Sequence, residues 1–108
     1  MPLLSIVTVT FQAEEFIDRT VQSLLNQTSQ AFEYIIIDGG SKDQTLRILD
    51  SYADRVNTLI SEPDKGLYDA MNKGIRVAQG EYLWFMNAGD TLADERLIER
   101  SEERRVGK

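Results

Sequence analysis

With 108 residues, 42% of them hydrophobic, the chain has room for one domain with a modest core. It contains neither cysteine nor histidine, which excludes disulfides, Cys- or His-based metal sites and every Ser-His or Cys-His pair. Acid–base and metal chemistry therefore falls to carboxylates, while a net charge of −6 argues against nucleic acid as a partner.

Leu3 to Thr10 (LLSIVTVT) is a short β-branched run suited to a buried parallel strand. Ile17, Val21, Leu24 and Leu25 recur at helical spacing, predicting a helix over Glu14 to Gln27 with Glu14, Glu15 and Asp18 in its first turns. Phe32 to Asp38 (FEYIIID) predicts a second strand that stops at Gly39-Gly40. Ser41 to Gln44 reads as a capping box with Ser41 at the cap, opening a helix that carries Leu46, Leu49 and Ala53. A weaker strand covers Thr58 to Ser61, and Glu62 to Gly66 is a loop by composition. Leu67, Met71, Ile75 and Ala78 mark a third helix ended by Gly80. Tyr82 to Met86 (YLWFM) is a fourth, strongly apolar strand, whose aromatic residues read as packing, and the turn Asn87-Ala88-Gly89-Asp90 follows it.

Alternation of strands and helices predicts a doubly wound α/β fold with a mostly parallel sheet. No apolar run approaches the roughly 20 residues of a membrane span. No basic segment precedes an apolar stretch at the N-terminus, so no signal peptide is expected and a cytoplasmic location is the default. Residues 100–108 (RSEERRVGK) hold four of the twelve basic residues and show no apolar periodicity. They are similar to a sequencing adapter translated in frame, so a non-native tail is expected after residue 99.

In open α/β sheets, ligands bind beyond the carboxyl ends of the strands. Thr10-Phe11-Gln12, Asp38 to Ser41 and Asn87 to Asp90 all fall on that edge, and the loop Asp64-Lys65-Gly66 can reach it. One cleft would then collect an aromatic ring, a strand-end carboxylate, a lysine and an acidic turn, an inventory suited to a nucleoside diphosphate. Taken singly, each is ambiguous: Phe11 serves equally as a core ring, Asp38 as a turn former and Lys65 as a solvated charge.

Four stretches, SIVTVTFQAEEFIDRTVQSLLNQT, YIIIDGGSKDQT, EPDKGLYDAMNKGI and GEYLWFMNAGD, resemble the N-terminal half of family 2 glycosyltransferases. The resemblance implies a GT-A fold, a Rossmann-like three-layer sandwich, here ending after the fourth strand and the metal-motif turn. It also implies inverting transfer of a sugar from a nucleotide-diphosphate donor, with a UDP-sugar favoured, to a hydroxyl acceptor. That acceptor would be a carbohydrate or lipid-linked molecule in cell-surface polysaccharide or glycolipid synthesis. By this resemblance Thr10 and Phe11 line the nucleotide base, Asp38 recognises it, and Lys65, Asp69 and Asn72 line the sugar-diphosphate side. Asn87 to Asp90 stand where the family carries Asp-x-Asp-Asp, which holds a divalent cation, Mg²⁺ or Mn²⁺, against the diphosphate.

Two departures stand out. Position 89, the family's main metal ligand, is glycine, which leaves Asp90 as the expected ligand with Asn87 beside it. Position 12 is Gln where the family usually has Asn. The family's general base lies in the C-terminal half, so no residue here is assigned as catalytic and the chain alone is expected to bind without efficient transfer. Any peripheral contact with the inner face of a membrane would come from sequence beyond it. A sugar nucleotidyltransferase or a Rossmann dehydrogenase needs a glycine-rich loop after the first strand, and Thr10 to Glu14 contains no glycine. A receiver domain needs acids at the end of that strand, which ends Thr-Val-Thr-Phe. A non-catalytic nucleotide-sugar-binding remnant, suggested by Gly89, is the remaining alternative.

Overall fold

The computed structural model describes residues 4–92 and 94–100. Four strands form one sheet in the order β3-β2-β1-β4: β1 Leu4–Thr10, β2 Phe32–Asp38, β3 Thr58–Ser61 and β4 Tyr82–Asn87. Every pairing is parallel. β1 lies inside the sheet and is buried along its whole length, and its buried polar residues Ser5 and Thr8 are small and hydrogen-bonded, to Glu33 and Tyr34 respectively.

Helices cover both faces. α1 (Ile17–Leu25) and α2 (Thr45–Asp50) enclose one core with Leu4, Ile6, Tyr34 and Ile36. Val7, Val9, Ile35 and Ile37 point the other way and pack with Ala70 of α3 (Leu67–Val77). The result is the expected three-layer α/β sandwich, with its described sheet entirely parallel. Trp84 of β4 packs against the first core, and Leu83 and Phe85 against the second, as expected for strand packing. β4 forms one edge of the described sheet, and Tyr82 on it is 53% exposed.

The helix boundaries differ from the sequence expectation in informative ways. α1 begins at Ile17, because Ala13 to Phe16 form a turn in which the Phe16 and Ile17 amides both donate to the Ala13 carbonyl. Only Asp18 therefore lies in the first helical turn. Ser41 does not cap α2, which starts four residues later; its hydroxyl donates to Asp38 Oδ1 at 2.6 Å. Asp38 wins because a buried carboxylate gains more from a nearby hydroxyl than a surface helix end does. Asp43 Oδ1 instead accepts from the Thr45 amide at 2.9 Å, and Ala53 falls in a separate 3₁₀ turn, Ala53–Arg55.

Of the four apolar residues that mark the third helix, Met71 and Ala78 pack against the second core, whereas Leu67 and Ile75 are 50% and 46% exposed, and the buried positions are Ala70 and Gly74. The helix lies so close to β1 that a Cβ on Gly74 would stand 2.6 Å from Val7 Cγ1. Small residues thus select the buried face where apolar spacing alone would choose larger ones. Residues 97–100 form a further helical turn, with Ile98 buried against the first core. Arg100 is ion-paired with Asp94, and the rest of the tail, 101–108, lies outside the described residues.

Candidate functional site

Parallel register brings the carboxyl ends of the strands to one edge. Thr10 is paired with Asp38, Asp38 with Ser61, and Val9 with Asn87. Beyond that edge a cleft of about 500 Å³ opens between the β1–α1 loop, the Asp64–Gly66 loop with the start of α3, and the turn after β4. Thr10, Phe11 and Asn87 line it, together with Gln12, Phe16, Asp64, Leu67 and Ala88. Phe11 is 61% exposed, so its ring is a platform at the cleft rather than core. Thr10 is only 7% exposed, yet its Oγ1 has no hydrogen-bond partner among the described residues. A buried hydroxyl left unpaired costs about 1–3 kcal/mol, so an orphan beside a cleft calls for a polar atom from a ligand or solvent.

Asp38 lies behind this wall. It is fully buried and accepts four hydrogen bonds: Ser41 Oγ on Oδ1, and the Gly40 amide at 3.0 Å, the Ser41 amide at 2.8 Å and Ser61 Oγ at 2.9 Å on Oδ2. The same Ser41 Oγ accepts from the Gln12 amide at 2.8 Å, and Gln12 Oε1 accepts from the Lys42 amide. Gln12 has φ +50, the left-handed region that asparagine enters more readily than most residues. Glutamine keeps the amide acceptor and spans the gap to Lys42, which accounts for the residue at position 12. Asp38, Ser41 and Gln12 together fix the backbone that carries Phe11.

Asp64 stands at the cleft wall and was not singled out from the sequence. Its Oδ1 accepts from the Gly66 amide at 3.1 Å. A Cβ on Gly39 would meet Asp64 Oδ2 at 2.9 Å and Phe11 Cδ1 at 3.3 Å, so the bare backbone there admits both side chains. Lys65 is exposed next to Asp64, and its ammonium has no ion pair among the described residues, whereas its amide donates to Asp69 Oδ2 at 2.9 Å. Lys73 is held by Glu62 at 3.3 Å, by the Pro63 carbonyl at 3.2 Å and by Asp69 at 3.8 Å, which pins this loop to α3. Asp69 is thereby engaged within the loop, and Asn72 is exposed on the same helix; neither lines the cleft.

The turn after β4 is closed on itself. Asp90 Oδ2 accepts from the Asn87 amide and the Asp90 amide donates to the Asn87 carbonyl, both at 2.9 Å. Gly89 has φ +104, and its amide donates to Thr20 Oγ1 at 2.8 Å. No group of three or more acidic residues is gathered for a metal among the described residues. As a donor set, the turn offers one carboxylate and the Asn87 amide oxygen. That suits a divalent ion whose other ligands come from phosphate and water.

The model of glycosyl transferase family 2 matches residues 5–105. The chain belongs to that family. It is 36% identical over 108 residues to an uncharacterized glycosyltransferase of Mycobacterium tuberculosis, a match covering 99% of this chain and 41% of that one. A PGL/p-HBAD biosynthesis glycosyltransferase of the same species is 33% identical over 102 residues, covering 92% and 40%. The chain thus spans about 40% of the length of these curated relatives. Among solved structures, residues 1–349 of Staphylococcus aureus TarS with UDP-GlcNAc superpose at TM-score 0.80 and 26% identity, covering 94% of this chain and 30% of that one. A Pyrobaculum calidifontis mannosyltransferase with GDP-Man and Mn²⁺ superposes at 0.79 and 20% identity, covering 87% and 29%. The fold is of the GT-A type.

Proposed function

We propose that the chain forms the donor side of an inverting glycosyltransferase that passes a sugar from a nucleoside-diphosphate donor to a hydroxyl acceptor. The acceptor class we propose is a cell-surface polysaccharide or glycolipid, and the setting is the cytoplasm or the inner face of its membrane. The observation that carries the reading is the cleft at the strand ends, with the exposed Phe11 ring beside the buried, unpaired Thr10 hydroxyl. The base would stack on Phe11 while Thr10 Oγ1 gains a partner. The diphosphate would run toward Lys65 and the start of α3, with Asp69 and Asn72 on that side. Asp38 shapes the base end by holding the Gly39–Ser41 turn. UDP-GlcNAc in the TarS complex supports a uridine donor.

Transfer would join the acceptor oxygen to the sugar's anomeric carbon as the bond from that carbon to the diphosphate breaks. A divalent cation held by Asp90 and Asn87 would supply charge stabilisation for the departing diphosphate. Lys65 would add a second positive charge. The base that takes the acceptor proton is proposed to belong to the part of the relatives' length that this chain does not span, so the chain alone binds donor without efficient transfer.

Calorimetric titration of UDP into the chain, with and without Mn²⁺, is the test. Binding should weaken roughly 5- to 100-fold in Phe11→Ala, as loss of one base–aromatic stack predicts. Equal binding by that variant refutes the site. Gly89 favours one rival, a nucleotide-sugar-binding remnant without catalysis. Absence of transfer by a full-length relative with glycine at this position would support it.

A further inference from the structure

The nucleotide reading leaves open which group reads the base. Asp38 accepts four hydrogen bonds from its own loops, is fully buried and does not line the cleft. Asp64 is the opposite case. It lines the cleft, and its Oδ1 is used by the Gly66 amide. Its Oδ2 has no partner among the described residues and lies against Gly39 beside the edge of the Phe11 ring.

We propose that Asp64 determines base specificity, selecting nucleobases that present a ring N–H. This rests on the nucleotide reading above. A base stacked on Phe11 directs its in-plane edge toward whatever flanks that ring, and the flanking group here is a carboxylate. A carboxylate accepts hydrogen bonds and donates none. Uracil, thymine and guanine place an N–H on the relevant ring edge; cytosine and adenine place a bare ring nitrogen there, whose lone pair faces the carboxylate unfavourably. Asp64 is also badly placed to meet phosphate, because like charges repel, so the diphosphate must leave on the Lys65 side. Gly39 completes the arrangement, since any side chain at that position would displace Asp64 or Phe11.

Asp64→Asn separates this role from a structural one. The amide oxygen still accepts from Gly66, so the turn is kept, while the free carboxylate oxygen is exchanged for an N–H₂ donor. UDP, CDP, GDP and ADP share one diphosphate, so differences among their affinities for the 108-residue chain isolate the base. The unaltered chain should prefer UDP and GDP over CDP and ADP. Asp64→Asn should lose roughly tenfold in UDP affinity, consistent with a charge-assisted hydrogen bond, and should shift the UDP:CDP ratio toward CDP with an unchanged melting temperature. An unchanged UDP:CDP ratio in Asp64→Asn overturns the assignment while leaving the nucleotide site standing. Failure of the unaltered chain to bind any of the four overturns both.

Discussion

Gly74→Ala tests how the third helix is seated, because two opposing effects meet at that position. Alanine is favoured over glycine inside a helix by about 1 kcal/mol. Against this, the new methyl would lie 2.6 Å from Val7 Cγ1, 3.2 Å from Cγ2 and 3.4 Å from Cβ. Carbon atoms sit comfortably at about 3.5–4.0 Å. Val7 is a fully buried residue on the central strand, so the clash is with the body of a fixed side chain and cannot be relieved by a swinging tip. The helix must retreat by about 1 Å, at the roughly 1–3 kcal/mol typical of overpacked cores. The overpacking term outweighs the propensity gain, and a net loss of about 1 kcal/mol should lower the melting temperature by about 4–8 °C. Thermal unfolding followed by circular dichroism measures it. Because Gly66, Leu67 and Ala70 at the start of α3 line the cleft, UDP affinity should fall as well. Adding Val7→Ala should recover part of the stability lost to the methyl, a non-additive outcome. A melting temperature equal to or above that of the unaltered chain would refute the close seating of α3 on β1.

Asp38→Ala removes the acceptor for two amides and two hydroxyls in a buried loop and should cost about 3–5 kcal/mol in chemical denaturation, weakening UDP binding at the same time. Burial pushes the Tyr34 phenol up to about 12 from the usual 10.0, against the lowering effect of its hydrogen bond to Thr8. A raised folded value means the protein keeps this contribution below pH 10 and loses it as pH rises toward 12; Tyr34→Phe should flatten that part of an alkaline unfolding profile. Gly89→Asp supplies a second carboxylate to the turn but places a side chain at φ +104, at a cost of about 1–2 kcal/mol. Its melting temperature should fall, and Mn²⁺ binding in the presence of UDP should tighten; unchanged Mn²⁺ binding would place the cation elsewhere.

Much of the fold was legible because strands and helices announce themselves through local patterns. Phe32 to Asp38 and Thr58 to Ser61 end in the structure where their composition changes, and the β-branched run Ile6 to Thr10 marks β1 as a buried strand. What the sequence hid depends on partners far along the chain. Ser41 satisfies every local sign of a helix cap, yet the carboxylate three residues before it claims its hydroxyl. Gln12 carries no local meaning, since Lys42 lies thirty residues away and the positive φ is visible only in the folded backbone. Asp64 looked like a loop acid until folding set it over Gly39 beside Phe11. The inner face of α3 was legible only in part: Met71 and Ala78 do pack on the second core, but close approach to Val7 puts Gly74 innermost and leaves Leu67 and Ile75 exposed.

The most direct test of a nucleotide-sugar site at the strand ends is a map of backbone amide shifts in the 108-residue chain on titration with UDP-GlcNAc. Changes should centre on Phe11, Gln12, Asp64, Gly66, Ala70 and Ala88, around the cleft. A separate groove between α1 and the segment after β4, at Gln22, Asn26 and Leu92, should stay silent. Shifts confined to that groove, or none at saturating nucleotide sugar, would contradict it.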